Sequence, residues 1–130
     1  MSAMEMLRKQ ILVVDDDKSI RDSLKQILEL EGYCVDIAET GGEAIEKSRN
    51  VTYNLALLDI RLPDMEGTKL LSRLHQGEPR TRMIMITGYP SLENIVNSLN
   101  QGADGYLSKP VNPVKLMRMI KEQLKHQEAP

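Results

Sequence analysis

The stretch Ile11-Leu12-Val13-Val14-Asp15-Asp16-Asp17 decides the fold. Four apolar residues in succession suit a strand buried on both faces, and the three acidic residues end it at water. Directly after it, Ile20, Leu24, Ile27 and Leu28 fall on one face of a helix. The same unit recurs along the chain. Tyr33-Cys34-Val35-Asp36-Ile37-Ala38 reads as a strand that alternates around Asp36, and Thr40-Gly41-Gly42-Glu43 then fits a capping box with Thr40 as N-cap and Glu43 reaching back. Leu55-Ala56-Leu57-Leu58 ends at Asp59, and a loop with Pro63 and Gly67 leads to Leu70, Leu71 and Leu74. Met83-Ile84-Met85-Ile86 ends at Thr87, and Pro90-Ser91 opens a helix carrying Leu92, Ile95, Val96 and Leu99. Gly105-Tyr106-Leu107-Ser108 is a short fifth strand, after which Asn112 and Pro113 supply N-cap and N1 for a last helix.

Five strand–helix units in strict alternation predict a parallel sheet with helices on both faces, an α/β fold. The first, third and fourth strands are apolar throughout and belong in the middle. The alternating second and the short, glycine-containing fifth belong at the edges. Right-handed crossovers then give the flavodoxin-like doubly wound order 2-1-3-4-5, with ligands expected at the carboxyl ends of the strands.

Composition agrees with one ordinary globular domain: 130 residues, 41% hydrophobic and 28% charged. A net charge of −2 gives no electrostatic footprint for nucleic acid or an anionic membrane. One cysteine, Cys34, makes no internal disulfide and is expected as a small buried hydrophobe, so a reducing, cytoplasmic setting is expected. No apolar run approaches the roughly 20 residues that span a bilayer. The domain is expected over 9–125, between a flexible tail at 1–8 and a tail or linker start at 126–130. The charged end carries no stop signal, so both a complete chain and a piece of a longer one stay open.

The strand ends collect the chemistry. With the first and third strands adjacent, about 4.8 Å apart, Asp15 or Asp16 comes close to Asp59. Thr87 lies one strand further on, and the long stem of Lys109 reaches back from the fifth. Three neighbouring carboxylates repel one another unless a cation intervenes. Only oxygen ligands are on offer, which selects a hard cation such as Mg²⁺ that keeps several waters. A carboxylate so screened can attack phosphorus and form an acyl phosphate. Asp59, the middle member of the row, is the candidate nucleophile, and Asp16, assisted by Asp15, the candidate metal ligand. Lys109 would neutralise developing phosphoryl charge while Thr87 donates a hydrogen bond. Each group has a plainer reading when taken singly. Asp17 reads as the cap of the first helix, Thr87 as a capping hydroxyl, Lys109 as a surface lysine, Tyr106 as edge-strand packing, and His75 and His126 as isolated helix residues.

In order along the chain stand Val13-Val14-Asp15-Asp16, Leu57-Leu58-Asp59-Ile60-Arg61-Leu62-Pro63-Asp64-Met65-Glu66-Gly67, Ile86-Thr87-Gly88, and Gly102-Ala103-Asp104-Gly105-Tyr106-Leu107-Ser108-Lys109-Pro110. From about Lys9 to about Lys125 the chain resembles the receiver domain of two-component response regulators, such as the chemotaxis and nitrogen-regulation receivers. The resemblance implies that a histidine kinase or phosphotransfer protein phosphorylates Asp59. It implies that Asp15, Asp16, Asp59 and the backbone carbonyl of Arg61 hold Mg²⁺, with Mn²⁺ as a substitute. Thr87 and Lys109 would contact the phosphoryl group, and the Lys109–Pro110 bond would be cis. Thr87 and Tyr106 would form a switch read by an output domain or a second copy on the face around Tyr106. Arg61 and Tyr89 would tune phosphoryl lifetime. Such a domain is a switch that catalyses only its own phosphorylation and dephosphorylation, and it can also form part of a hybrid kinase.

Two rival functions remain at this point. Asp15-x-Asp17-x-Ser19 mimics the opening motif of haloacid-dehalogenase-like phosphohydrolases, which would make Asp15 the nucleophile and leave Asp59 without a role. A docking module that no longer accepts phosphate is the other, against which the complete set of site residues argues.

Overall fold

A computed structural model describes residues 8–88 and 91–128. The elements, in chain order, are β1 (Gln10–Val14), α1 (Lys18–Leu30), β2 (Cys34–Ala38), α2 (Gly41–Asn50), β3 (Leu55–Asp59), α3 (Gly67–Gly77), β4 (Arg82–Thr87), α4 (Leu92–Asn100), β5 (Gly105–Ser108) and α5 (Pro113–Glu128). The strands form one parallel sheet in the order β2-β1-β3-β4-β5, the flavodoxin-like arrangement expected from the alternation.

Alternate residues of the apolar strands feed two cores. Ile11, Val13, Leu55, Leu57, Ile84 and Ile86 pack against Leu24 and Leu28 of α1 and Leu116, Ile120 and Leu124 of α5. Leu12, Val14, Ala56, Leu58, Met83 and Met85 point the other way, to Ala44 of α2 and Leu70, Leu71 and Leu74 of α3. Each such Leu or Ile, removed from water, contributes roughly 1.5–3 kcal/mol.

Helix starts follow local chemistry. Asp17 accepts from the backbone N–H of Ser19 at 2.9 Å and of Ile20 at 3.2 Å. Ser91 accepts from Asn94 at 3.1 Å, and Asn112 accepts from Val114 at 2.9 Å and Lys115 at 3.1 Å. A cap of this kind is worth about 1 kcal/mol. Gly32 and Gly102 end α1 and α4 with positive φ, 95° and 108°. At each, the glycine N–H and the next one turn back to the helix's last carbonyls, a closure that favours a residue without Cβ.

Some local expectations shift. The β2 strand starts at Cys34, and Cys34 is half-buried because an edge strand covers its side chains incompletely. Glu43 accepts from the Glu39 N–H at 3.0 Å, one residue before the cap. The last helix runs to Glu128, past the boundary expected at 125, because nothing between Glu122 and Glu128 breaks a helix. Most of the expected tails, and Tyr89 with Pro90, lie outside the described residues.

Candidate functional site

The sheet register brings the polar residues together. Val14 pairs with Leu58, Asp59 with Ile86, and Thr87 with Ser108, so the strands finish on one edge. Carboxylate oxygens of Asp15, Asp16 and Asp59 lie within 4.8 Å of one another. Asp15 and Asp59 are buried, whereas Asp16 is exposed at the mouth.

Lys109 closes the cluster from β5. Its Nζ lies 2.8 Å from Asp15 Oδ2 and 3.1 Å from Asp59 Oδ2. Its own N–H donates to the Thr87 carbonyl at 2.7 Å, the Lys109–Pro110 bond is cis, and Thr87 is fully buried. The other oxygens are tied down by backbone. The Asp17 N–H donates to Asp15 Oδ1 at 2.9 Å, and the Arg61 N–H to Asp59 Oδ1 at 3.3 Å.

Burial, and next the charge of Asp15, push the Asp59 carboxyl above its ordinary value, with Lys109 and the Arg61 N–H opposing. Burial alone would lower Lys109, but the hydrogen bonds and charges of Asp15 and then Asp59 raise it. The site therefore keeps its ammonium and disfavours the charge on Asp59, an arrangement that a divalent cation would relieve. The donor set fits such a cation: only oxygens, on two fixed carboxylates and one exposed one.

Glycine sets the shape of the loop after Asp59. A Cβ on Gly67 would collide with the Asp59 carbonyl oxygen, so α3 can start this close only without a side chain there. On β5, Tyr106 packs against the α2–α3 core and is half-buried. Its hydroxyl is buried with no hydrogen-bond partner among the described residues, and burial raises its pKa.

Arg21 was not singled out from the sequence. It is buried, and its Nη1 donates to the Asp15 carbonyl at 2.8 Å, holding the turn that presents the acidic pair. The available signal was a lone arginine among Ile20 and Leu24 on the apolar side of α1. Asp64, quoted only as part of a motif, reaches across to α2.

The chain belongs to the response regulator receiver domain family, whose model matches residues 11–121. This makes it a signalling domain of two-component systems. It is similar to a solved CheY-like receiver domain protein of Methanospirillum hungatei, with 60% identity, a TM-score of 0.91, and 93% of this chain and 97% of that one covered. A response regulator of Burkholderia pseudomallei, solved with a phosphorylated aspartic acid, calcium ion and citrate, is 29% identical with a TM-score of 0.83. That match covers 91% of this chain and 69% of the other. Among curated relatives, the transcriptional regulatory protein ResD of Bacillus subtilis is 36% identical over 116 residues, 89% of this chain and 48% of that protein. The chain spans about half the length of ResD and of the B. subtilis relative YkoG. Among the described residues no helix is long and apolar enough to cross a membrane.

Proposed function

We propose that this receiver accepts a phosphoryl group on Asp59 from the phosphohistidine of a histidine kinase or phosphotransfer protein. The observation that carries this reading is the buried Asp59 carboxylate beside Asp15, Asp16 and Lys109 at one sheet edge. An Asp59 oxygen attacks phosphorus, the P–N bond breaks, and the imidazole leaves with a proton. Lys109 follows the charge onto the phosphoryl oxygens, and Thr87 donates to one of them. Attack of water on the same phosphorus later returns the carboxylate. Asp15, Asp16, Asp59 and the Arg61 carbonyl would hold Mg²⁺, or Mn²⁺ in its place, and the ion supplies charge neutralisation at the transferring group.

The hydrolase reading loses support. Asp17, which that motif needs in the site, is occupied in capping α1, and Asp15 already binds Lys109 and the Asp17 N–H. A phosphate-independent docking module would have no use for a carboxylate whose pKa is raised by burial and then by the charge of Asp15.

The output is a change of shape. New acceptor oxygens on Asp59 draw Thr87 toward them, opening room beside β5 into which Tyr106 rotates. The half-buried tyrosine, whose hydroxyl has no hydrogen-bond partner among the described residues, supports this, since packing and not a hydrogen bond sets its rotamer. Val96, 45% exposed, and Leu99, 53%, give the adjacent α4 an apolar surface for an output domain, a partner or a second copy. Arg61 and Tyr89 would tune phosphoryl lifetime, the domain would begin at 9 and end with α5 at Glu128, and the setting would be cytoplasmic. The test is NMR of labelled protein with Mg²⁺ and beryllofluoride as a phosphoryl mimic. Shifts are expected at Thr87, Tyr106 and α4. Shifts confined to the loop around Asp59 would overturn the switch.

A further inference from the structure

The turn that follows Asp59 is built from residues 60–67. Its base is closed by hydrogen bonding of Gly67 N–H to the Ile60 carbonyl and by an isolated antiparallel bridge between Arg61 and Glu66. The Leu62 N–H donates to the Met65 carbonyl at 3.2 Å across the tip. Leu62 and Met65 pack half-buried against the α2–α3 core, but Arg61, Pro63, Asp64 and Glu66 are all exposed, so core packing fixes only part of that tip.

A different element supplies the anchor. Asp64 Oδ1 accepts from the Gly41 N–H and Oδ2 from the Gly42 N–H, both at 2.9 Å, across 23 and 22 residues of sequence. These are the first two N–H groups of α2, which have no partner inside their helix. Thr40 takes the Glu43 N–H at 3.1 Å, so the helix start has two separate caps, one local and one from the turn. The fit is close. A Cβ on Gly41 would lie 2.5 Å from Met65 Sδ, and one on Gly42 would lie 3.3 Å from Asp64 Oδ2. Both glycines let the turn sit directly on the helix end. The backbone donors, Gly42 first and then Gly41, hold the Asp64 carboxyl below its ordinary value, so it stays an acceptor.

We propose that Asp64 is a positioning residue for the cation site: through Gly41 and Gly42 it moors the turn to α2 and thereby fixes Arg61, whose carbonyl is the oxygen ligand that comes from the backbone. This inference rests on the proposed reading of Asp15, Asp16, Asp59 and Arg61 as the Mg²⁺ ligands. It makes the start of α2, which contributes no ligand, a support of the site.

The test compares Asp64→Ala with Thr40→Ala in the full chain. Each removes one cap of α2, but only the first releases the turn. Mg²⁺ is titrated into labelled protein and its affinity read from amide shifts, with thermal melts confirming that each variant folds. Asp64→Ala is expected to bind Mg²⁺ roughly tenfold more weakly, as loss of a group that orients a ligand does. Thr40→Ala should bind as wild type does. Asp64→Asn, which keeps an oxygen for one of the two N–H groups, should fall between and serves if the alanine variant does not fold. Equal weakening by Asp64→Ala and Thr40→Ala would overturn the inference by making helix capping alone the cause. Unchanged affinity in Asp64→Ala or Asp64→Asn would overturn it too. Wild-type protein that does not respond to Mg²⁺ would instead refute the ligand assignment, and the inference with it.

Discussion

Lys109 Nζ stands 3.1 Å from Asp59 Oδ2 although 50 residues separate the two in sequence. The parallel sheet makes this contact, because β3 and β5 end on the same edge with one strand between them. The ammonium also touches Asp15, so it occupies the oxygens that a cation would use. On the proposed reading, lysine and ion would compete for the same negative charge until a phosphoryl group arrived to engage both.

Lys109→Ala should expose that competition. Without metal the variant loses about 3 kcal/mol, since Asp15 and Asp59 are left buried without a counter-charge. Mg²⁺ should recover more stability in the variant than it adds to wild type, while phosphoryl uptake falls. Thermal melts with and without Mg²⁺ read the first effect and uptake from a small acyl phosphate the second. Equal Mg²⁺ stabilisation of both proteins would show that the two cations do not share ligands.

Asp59→Asn should keep the fold and stabilise the metal-free protein by about 1 kcal/mol near neutral pH. Asp59 has a raised pKa in the folded state. Its contribution to stability is thus present at acid pH and lost as pH rises through that folded value. The gap between variant and wild type should close on acidification through the titration of Asp59. Denaturant unfolding of both proteins across pH measures it, and a gap that widens toward acid would reverse the sign of the argument.

Gly67→Ala should cost about 3 kcal/mol or more, because the obstacle is the Asp59 backbone rather than a movable side chain. Displacing that backbone should also depress phosphoryl uptake in whatever fraction stays folded. Wild-type stability in this variant would mean that α3 starts farther from β3.

Tyr106→Phe should stabilise the unphosphorylated protein by about 1 kcal/mol, by removing a buried hydroxyl that has no partner among the described residues. Loss of stability would instead point to a hydrogen bond made by that hydroxyl.

The sheet was legible because burial on both faces writes itself as unbroken apolar runs, and Ile11–Val14, Leu55–Leu58 and Met83–Ile86 carry that signal. The edge position of β2 followed from Asp36, which accepts from the Tyr53 hydroxyl at 2.6 Å. Asp15, Asp59 and Thr87 were legible for the same reason: each is the first polar group after an apolar run. Contacts with no periodicity to announce them were not. Arg21 under Asp15 and Asp64 on α2 each join a side chain to distant backbone, and backbone partners leave no mark on composition. The full extent of α5 was missed because a helix without a stop signal looks in sequence like a charged tail.

The most direct measurement maps the phosphoryl group after incubation with a small acyl phosphate. Intact mass and peptide mapping should find one phosphoryl group per chain, on Asp59, formed with Mg²⁺ and absent in excess chelator. Asp59→Asn should take up none. Phosphate carried on Asp15, or uptake by Asp59→Asn at the wild-type level, would contradict the account.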